Sequence, residues 1–141
     1  ASVDLQAHPD NGHVHHASRH RCCTLFRDHS GGVVDAVAIQ DFIRAAYHDN
    51  QTRHVLLVGG DNYDYRNYSN SGGKSFIPSI YTAIANNLKA VPSDASFTLI
   101  DDDLVPDLSI ARLPVRSTQE LANLLNKRQR YLSRNYTKTR E

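Results

Sequence analysis

The chain has 141 residues, enough for one compact domain with a real core, and its formal charge is +1 at pH 7. Hydrophobic residues make up 40% and charged residues 22%, as in ordinary globular proteins. This charge balance predicts no nucleic-acid partner, and no apolar run is long enough to span a bilayer. Because residue 1 is Ala and no leader follows, we expect a processed or cut piece of a longer protein.

Residues 1–30 are predicted to form an irregular segment that is rich in histidine and cysteine. Six of the eight histidines and both cysteines lie in it, and it shows no sustained hydrophobic period. Zinc and copper use such ligands, but the spacing fits no standard metal template. Beside a metal site, two further interpretations stay open, namely a disordered or tag-like segment and a segment translated out of register. Cys22 and Cys23 are adjacent, so a disulfide between them would be strained.

Residues 31–141 are predicted to form an α/β unit, beginning with a helix and a buried strand. Residues 35–48 carry apolar side chains at helical spacing, and Asp35 is a suitable N-cap. The run HVLLVG at residues 54–59 predicts a strand that is buried on both faces of a parallel sheet. Helix, strand and polar loop in this order are typical of α/β proteins, which bind ligands at the carboxyl ends of their strands.

Two further strands and a helix are predicted in the rest of the chain. Residues 97–100 indicate a short strand, and residues 108–113 indicate a clearer one. Ser117 and Glu120 form a capping box that starts the last helix. This helix carries an apolar stripe of Leu121, Leu124, Leu125, Tyr131 and Leu132.

The polar loop after the first strand holds side chains of two predicted uses. Residues 60–75 are rich in Gly, Asn, Asp and Ser, but they lack the spacing of a phosphate-binding loop. Asp61, Tyr63 and Asp64 follow the strand directly, so they either line a cleft or build turns through side-chain-to-backbone hydrogen bonds. The turn interpretation is the favoured one.

Four carboxylates precede the second clear strand. They belong to Asp101, Asp102, Asp103 and Asp107. Hard oxygen ligands crowded into one turn suit Ca²⁺, so these residues are candidate ligands of a structural calcium ion. The alternative is a solvated acidic turn that keeps a corner of the sheet hydrated.

Taken in chain order, the motifs resemble the gingipain-type cysteine peptidases. The stretch VLLVGGDNYDYRNY is followed by FIPSIYT, by PSD, by the acidic turn and by PDLSIARLPVRSTQE. The family shows a strand ending in VGD, a Pro-Ser-Tyr or Pro-Thr-Tyr motif, an SD pair, an Asp-rich turn and a closing PD motif with GR and PV. The resemblance covers residues 31–132. It departs from the family at the extra Gly60 and at Ala111, where the family usually has Gly.

The resemblance implies part of a caspase-like fold, which is a three-layer α/β domain with a mainly parallel sheet flanked by helices. It also implies proteolysis, in which a cysteine thiolate attacks the peptide carbonyl and a histidine manages the proton. Both residues are expected after Glu141, so no catalytic or cofactor-binding residue is assigned, and the chain alone is expected to be inactive. Family members are often calcium-stabilised and require no other cofactor.

The resemblance further implies a secreted or cell-surface hydrolase that acts on protein or peptide substrates through the full-length protein. Two alternatives stay open. One is a gingipain-like sortase of type IX secretion, which transfers a peptide instead of hydrolysing it. The other is a non-catalytic α/β scaffold or binding domain, so the sequence leaves open whether the parent protein is an active enzyme.

Overall fold

In the computed structural model, the described part of the chain comprises residues 2–5, 18–70, 72, 75–83, 90–101 and 103–133, with side chains from residue 23 onward. Its elements are β1 (Ser2–Leu5), β2 (Ser18–Arg21), α1 (Cys22–Ser30), α2 (Ala36–Asn50), β3 (His54–Val58), β4 (Ile80–Ala83), β5 (Ala90–Ser93), a 3₁₀ helix (Asp94–Thr98), β6 (Ser109–Leu113) and α3 (Thr118–Leu132). The α/β class that the sequence predicts is confirmed.

One four-stranded sheet has the order β2-β1-β3-β6, and β4 and β5 form a separate antiparallel pair. β1 pairs antiparallel with both of its neighbours, whereas β3 and β6 run parallel. Val55 lies opposite Ile110, and Val58 lies opposite Leu113. These two strands form a parallel pair, as in the mainly parallel sheet that the resemblance implies.

α2 forms where the sequence predicts a helix, because Asp35 caps its first turn. The Asp35 carboxylate accepts a hydrogen bond of 3.0 Å from a first-turn amide, and Gln51 ends the helix in a left-handed conformation with φ of 54°. Helical spacing puts Ile39 and Ile43 on the core-facing side, where both are fully buried. The helix extends slightly beyond its predicted end, to Asn50.

The core lies where α1, α2, β3 and the 3₁₀ helix meet. The prediction that β3 is strongly buried agrees with exposures of 3% for Val55, 0% for Leu57 and 8% for Val58. The largest fully buried side chains are Phe97, Ile39, Ile43, Leu57, Ile77, Thr98 and Pro78.

Residues 97–100 do not form the predicted strand, and that prediction is wrong. The chain enters the 3₁₀ helix before this point, and α2 fixes the helix when the Gln40 amide donates to the Ser96 carbonyl at 2.9 Å. Phe97 and Ile100 are apolar because they fill the core, with exposures of 0% and 9%. Their apolar character reflects tertiary packing and not pairing with a neighbouring strand.

The described residues before residue 31 include β1, β2 and α1. Leu25 and Phe26 of α1 are buried in the core, with exposures of 3% and 5%. Regular structure therefore begins before the boundary that the sequence suggests, because a helix of nine residues is too short to show a sustained period. Residues 1 and 6–17 lie outside the described residues, so the two interpretations of that stretch stay predictions.

α3 begins at the predicted capping box. The Glu120 amide donates to the Ser117 hydroxyl at 3.1 Å, and the Glu120 carboxylate accepts from the Arg116 amide at 2.7 Å. The predicted apolar stripe is present in sequence, yet no side chain of α3 is buried. None of the described helices combines the length and the apolarity that crossing a bilayer requires.

Candidate functional site

The carboxyl ends of β3 and β6 lie side by side, and the segments that leave them stay together. The Gly59 amide donates to the Leu113 carbonyl at 2.9 Å, and the Gly60 amide donates to the Val115 carbonyl at 3.0 Å. The Gly60 carbonyl accepts from the Phe76 amide at 3.0 Å. Ligands of α/β proteins bind at this edge of the sheet, so the candidate site lies here.

Arg112 of β6 ties this edge together. Its guanidinium holds both oxygens of Asp94, with an Nε–Oδ2 distance of 2.7 Å and an Nη2–Oδ1 distance of 2.6 Å. Nη1 donates to the carbonyls of Gly59 at 2.9 Å and Ile77 at 2.8 Å, and Nη2 also donates to the Ser79 hydroxyl at 3.3 Å. The Arg112 side chain is only 12% exposed. We call these five residues the Arg112 cluster.

The Arg112 cluster joins the motifs that carry the family resemblance. Gly59 ends the first strand motif, Ile77 and Ser79 belong to the proline motif, and Asp94 belongs to the SD pair. Arg112 comes from the closing motif and reaches all of them because a guanidinium presents five donors in one plane. Motifs that are far apart in sequence therefore meet at one point of the fold.

The Asp61 carboxylate orders the loop after β3. Its Oδ1 accepts from the Asn62 amide at 2.7 Å and from the Ser75 hydroxyl at 3.0 Å. Its Oδ2 accepts from the Tyr81 hydroxyl at 3.0 Å, so this side chain connects the loop to β4. Burial, helped by the hydrogen bond to Asp61, raises the pKa of Tyr81 to about 12.

We expect the fold to lose stability at high pH as Tyr81 ionises. Its pKa is 10.0 in the unfolded chain and about 12 in the folded state, so its contribution to the free energy of unfolding is complete below pH 10 and is lost as the pH rises toward 12. Ultraviolet titration should show a late-ionising tyrosine that disappears in Tyr81→Phe. The same alkaline titration curve in both proteins, scaled for the number of tyrosines, would contradict this assignment.

A cleft of about 670 Å³ lies beside the Arg112 cluster. Its lining includes four tyrosines, which are Tyr63, Tyr65, Tyr68 and Tyr81, together with the start of α2 and parts of β4 and β5. The rings of Tyr63 and Tyr81 meet edge to face, with their centroids 5.3 Å apart. We call this feature the tyrosine cleft.

Asp64 lies in the wall of the tyrosine cleft and also builds the loop. Its carboxylate accepts from the Tyr68 amide at 2.7 Å, from the Ser69 amide at 2.8 Å and from the Ser69 hydroxyl. The bond from that hydroxyl is the main cause that lowers the pKa of Asp64. Of the three residues predicted to line a cleft or build turns, Asp64 does both, Tyr63 lines the cleft, and Asp61 orders the loop.

Three of the four predicted calcium ligands are described, and each of them accepts a hydrogen bond from a backbone amide. Asp101 and Asp103 each accept from an amide two residues further on, at 3.1 Å and 2.7 Å, and Asp107 accepts from the Ile100 amide at 3.0 Å. Asp102 lies outside the described residues. Among the described residues, which do not include Asp102, no group of three or more His, Cys, Asp or Glu side chains is arranged to hold a metal ion.

The described histidine and cysteine side chains lie away from the Arg112 cluster in the fold. His54 is exposed at the start of β3, where it pairs with Ser109 at the amino edge of the sheet. His48 is exposed near the end of α2, and Cys23 is exposed at the start of α1. Both histidines therefore lie on the surface, one at a helix end and one at a strand start.

The fold and the Arg112 cluster define an α/β domain whose sequence motifs converge at the carboxyl edge of its parallel strands. The model of peptidase family C25 matches residues 17–141. The chain therefore belongs to peptidase family C25, the gingipain family, as its motifs predict. The match includes all of α1. No curated protein and no solved structure matches the chain.

The role of the Arg112 side chain is not predicted from the sequence, and a cleft is predicted only as one alternative for Asp61, Tyr63 and Asp64, without its other tyrosines. A signal for the first existed, since an arginine between Ile110 and Leu113 in a half-buried strand needs an acidic partner. The signal for the second was the repeated tyrosine at positions 63, 65 and 68. Neither signal identifies its partner, because Asp94 and Tyr81 come from other elements.

Proposed function

We propose that the chain forms the N-terminal part of the catalytic domain of a secreted, gingipain-like cysteine endopeptidase. Membership of peptidase family C25 and the meeting of its motifs in the Arg112 cluster support this proposal. The cluster holds the loops at the edge where an α/β domain places its reacting groups. Protein or peptide chains are the substrates that this family implies, and the family is typically extracellular.

The nucleophilic cysteine and the histidine base lie after Glu141 in this proposal. The sequence contains no Gly-His-Gly, which is the setting expected for the histidine, and Cys22 and Cys23 precede the motifs. In the proposed reaction the thiolate sulfur bonds to the peptide carbonyl carbon, and the imidazolium gives its proton to the departing amine. Water then releases the acyl group, and the thiolate is restored.

The purified 141-residue chain should therefore cleave no peptide. Hydrolysis of fluorogenic peptides is the measurement, and cleavage that a thiol reagent abolishes would contradict the placement of the nucleophile. A simpler observation separates the peptidase from a scaffold, namely the reading frame beyond Glu141. A Gly-His-Gly followed by a cysteine after a strand supports the peptidase, and their absence supports the scaffold.

We also propose that the acidic turn, with the carboxylates of Asp101, Asp102, Asp103 and Asp107, binds a structural calcium ion. The chemistry of the donor set supports this, since calcium accepts six to eight oxygen ligands in flexible geometry. Millimolar Ca²⁺ should then raise the melting temperature, and Mg²⁺ should do so less. If scanning calorimetry shows that Ca²⁺ does not change the melting temperature, the calcium proposal is wrong and these residues form only a solvated acidic turn.

A further inference from the structure

We propose that the tyrosine cleft is a subsite for an aromatic or large aliphatic side chain of an extended peptide. This inference rests on the proposed function in one respect, since the peptidase family is what makes a peptide the expected ligand. The chemistry of the side chain is inferred from the walls of the cleft alone.

The lining of the cleft suits an apolar side chain, and its size leaves room for that side chain together with the adjoining peptide backbone. Its volume of about 670 Å³ lies in the range that ligand pockets occupy. Tyr63 and Tyr68 are 74% and 82% exposed, and Val37 on the opposite helix is 54% exposed. Rings and aliphatic groups that stay exposed around a concavity gain by covering an apolar ligand.

The charges around the cleft are already engaged, which disfavours a charged ligand group. The Arg66 guanidinium lies 5.4 Å from the centre of the Tyr65 ring and donates to the Tyr68 hydroxyl at 3.3 Å. The Asp64 carboxylate accepts hydrogen bonds from the Tyr68 and Ser69 amides of the loop, and the Asp35 carboxylate caps α2. A ligand cation would have to compete with the backbone amides for these two carboxylates and would be repelled by Arg66, and a ligand anion would face both carboxylates.

The strand that borders the cleft suits an extended peptide. β4 pairs with β5 on one side only within the described residues, and its Ile80 and Tyr81 line the cleft. The other side of such a strand presents backbone donors and acceptors, to which an extended chain adds as a further strand. A peptide bound there would place alternate side chains toward the tyrosine rings.

The tyrosine cleft is also tied to the candidate site. Ser79 lines the cleft and accepts from Arg112, and the Tyr81 hydroxyl is held by Asp61. These bonds fix the cleft relative to the carboxyl edge of β3 and β6. The cleft therefore supplies specificity for a residue near the bond that the proposed peptidase cleaves.

The test is a titration of the isotope-labelled chain with blocked peptides of the form acetyl-Gly-Xaa-Gly-amide, followed by the shifts of backbone amides. With Xaa as Phe, the amide signals of Tyr63, Ile80 and Tyr81 should shift. The peptides with Lys, Glu or Gly at this position should bind at least roughly tenfold more weakly. Tyr63→Ala should weaken binding of the Phe peptide at least about fivefold, whereas Tyr63→Phe should retain it. Tyr131→Ala, an exposed tyrosine on α3, is the matched control and should bind normally.

Equal or tighter binding of the Lys peptide, shifts at residues outside the cleft, or no shift with any peptide would overturn the subsite. The titration needs no peptidase activity, so its failure leaves the proposed function standing. If the Phe peptide binds but the reading frame beyond Glu141 lacks the cysteine and the histidine, the subsite proposal stands and the peptidase proposal fails.

Discussion

Replacing Arg112 by methionine should lower the free energy of unfolding by about 3 kcal/mol, because it breaks a largely buried ion pair from one side. Methionine keeps the unbranched apolar stem of the side chain but removes the guanidinium, so the Asp94 carboxylate is left without its partner. It also leaves the carbonyls of Gly59 and Ile77 without the donors that they have at 2.9 Å and 2.8 Å. Urea denaturation followed by circular dichroism measures this loss.

Arg27→Met is the matched control, because Arg27 forms an ion pair with Asp28 in which both side chains are well exposed. It should leave the denaturation midpoint nearly unchanged. Adding Asp94→Asn to Arg112→Met should cost much less than the sum of the two single changes, because the two groups act as one pair. If Arg112→Met destabilises the chain no more than Arg27→Met does, the Arg112 cluster does not hold the edge together.

Phe97→Ala should lower the free energy of unfolding by about 3–5 kcal/mol, which is a large share of the stability of a domain of this size. The Phe97 ring is 0% exposed and fills the core between α2 and β6 from a 3₁₀ helix. Truncation removes apolar contacts on several sides and leaves a cavity that the short helix cannot close. Thermal and urea unfolding should agree on the loss.

Tyr131→Ala serves as the control for an aromatic truncation, since Tyr131 is 59% exposed on α3. It should lower the free energy of unfolding by no more than about 1 kcal/mol, well below the loss for Phe97→Ala. A Phe97→Ala protein that is as stable as this control would mean that the 3₁₀ helix does not pack into the core as described.

The elements that the sequence predicts correctly are those with local signals. α2 has a capping aspartate and an apolar face of its own, and α3 has a capping box. β3 and β6 are short runs of branched and aliphatic residues bounded by glycine or proline. In these places a few neighbouring residues are enough to determine the local structure.

The features that sequence reasoning misses depend on contacts between distant residues. The 3₁₀ helix is fixed from α2 and from Arg112, which lies 18 residues after Asp94. α1 is short, and its Leu25 and Phe26 are recognisable as core residues only from their burial in the folded structure. The order of motifs along the chain was sufficient to identify the family, but no local pattern shows that they meet around one guanidinium.

The most direct test of the account is peptidase activity in the longer protein that the proposal requires, with Cys22 and Cys23 both replaced by serine. We expect this variant to keep its activity and a thiol reagent still to abolish it, because the reactive cysteine follows residue 141. Loss of activity in a variant that remains folded would place the nucleophile in this chain and contradict the account. A longer protein without thiol-dependent cleavage of any peptide would contradict the peptidase proposal itself.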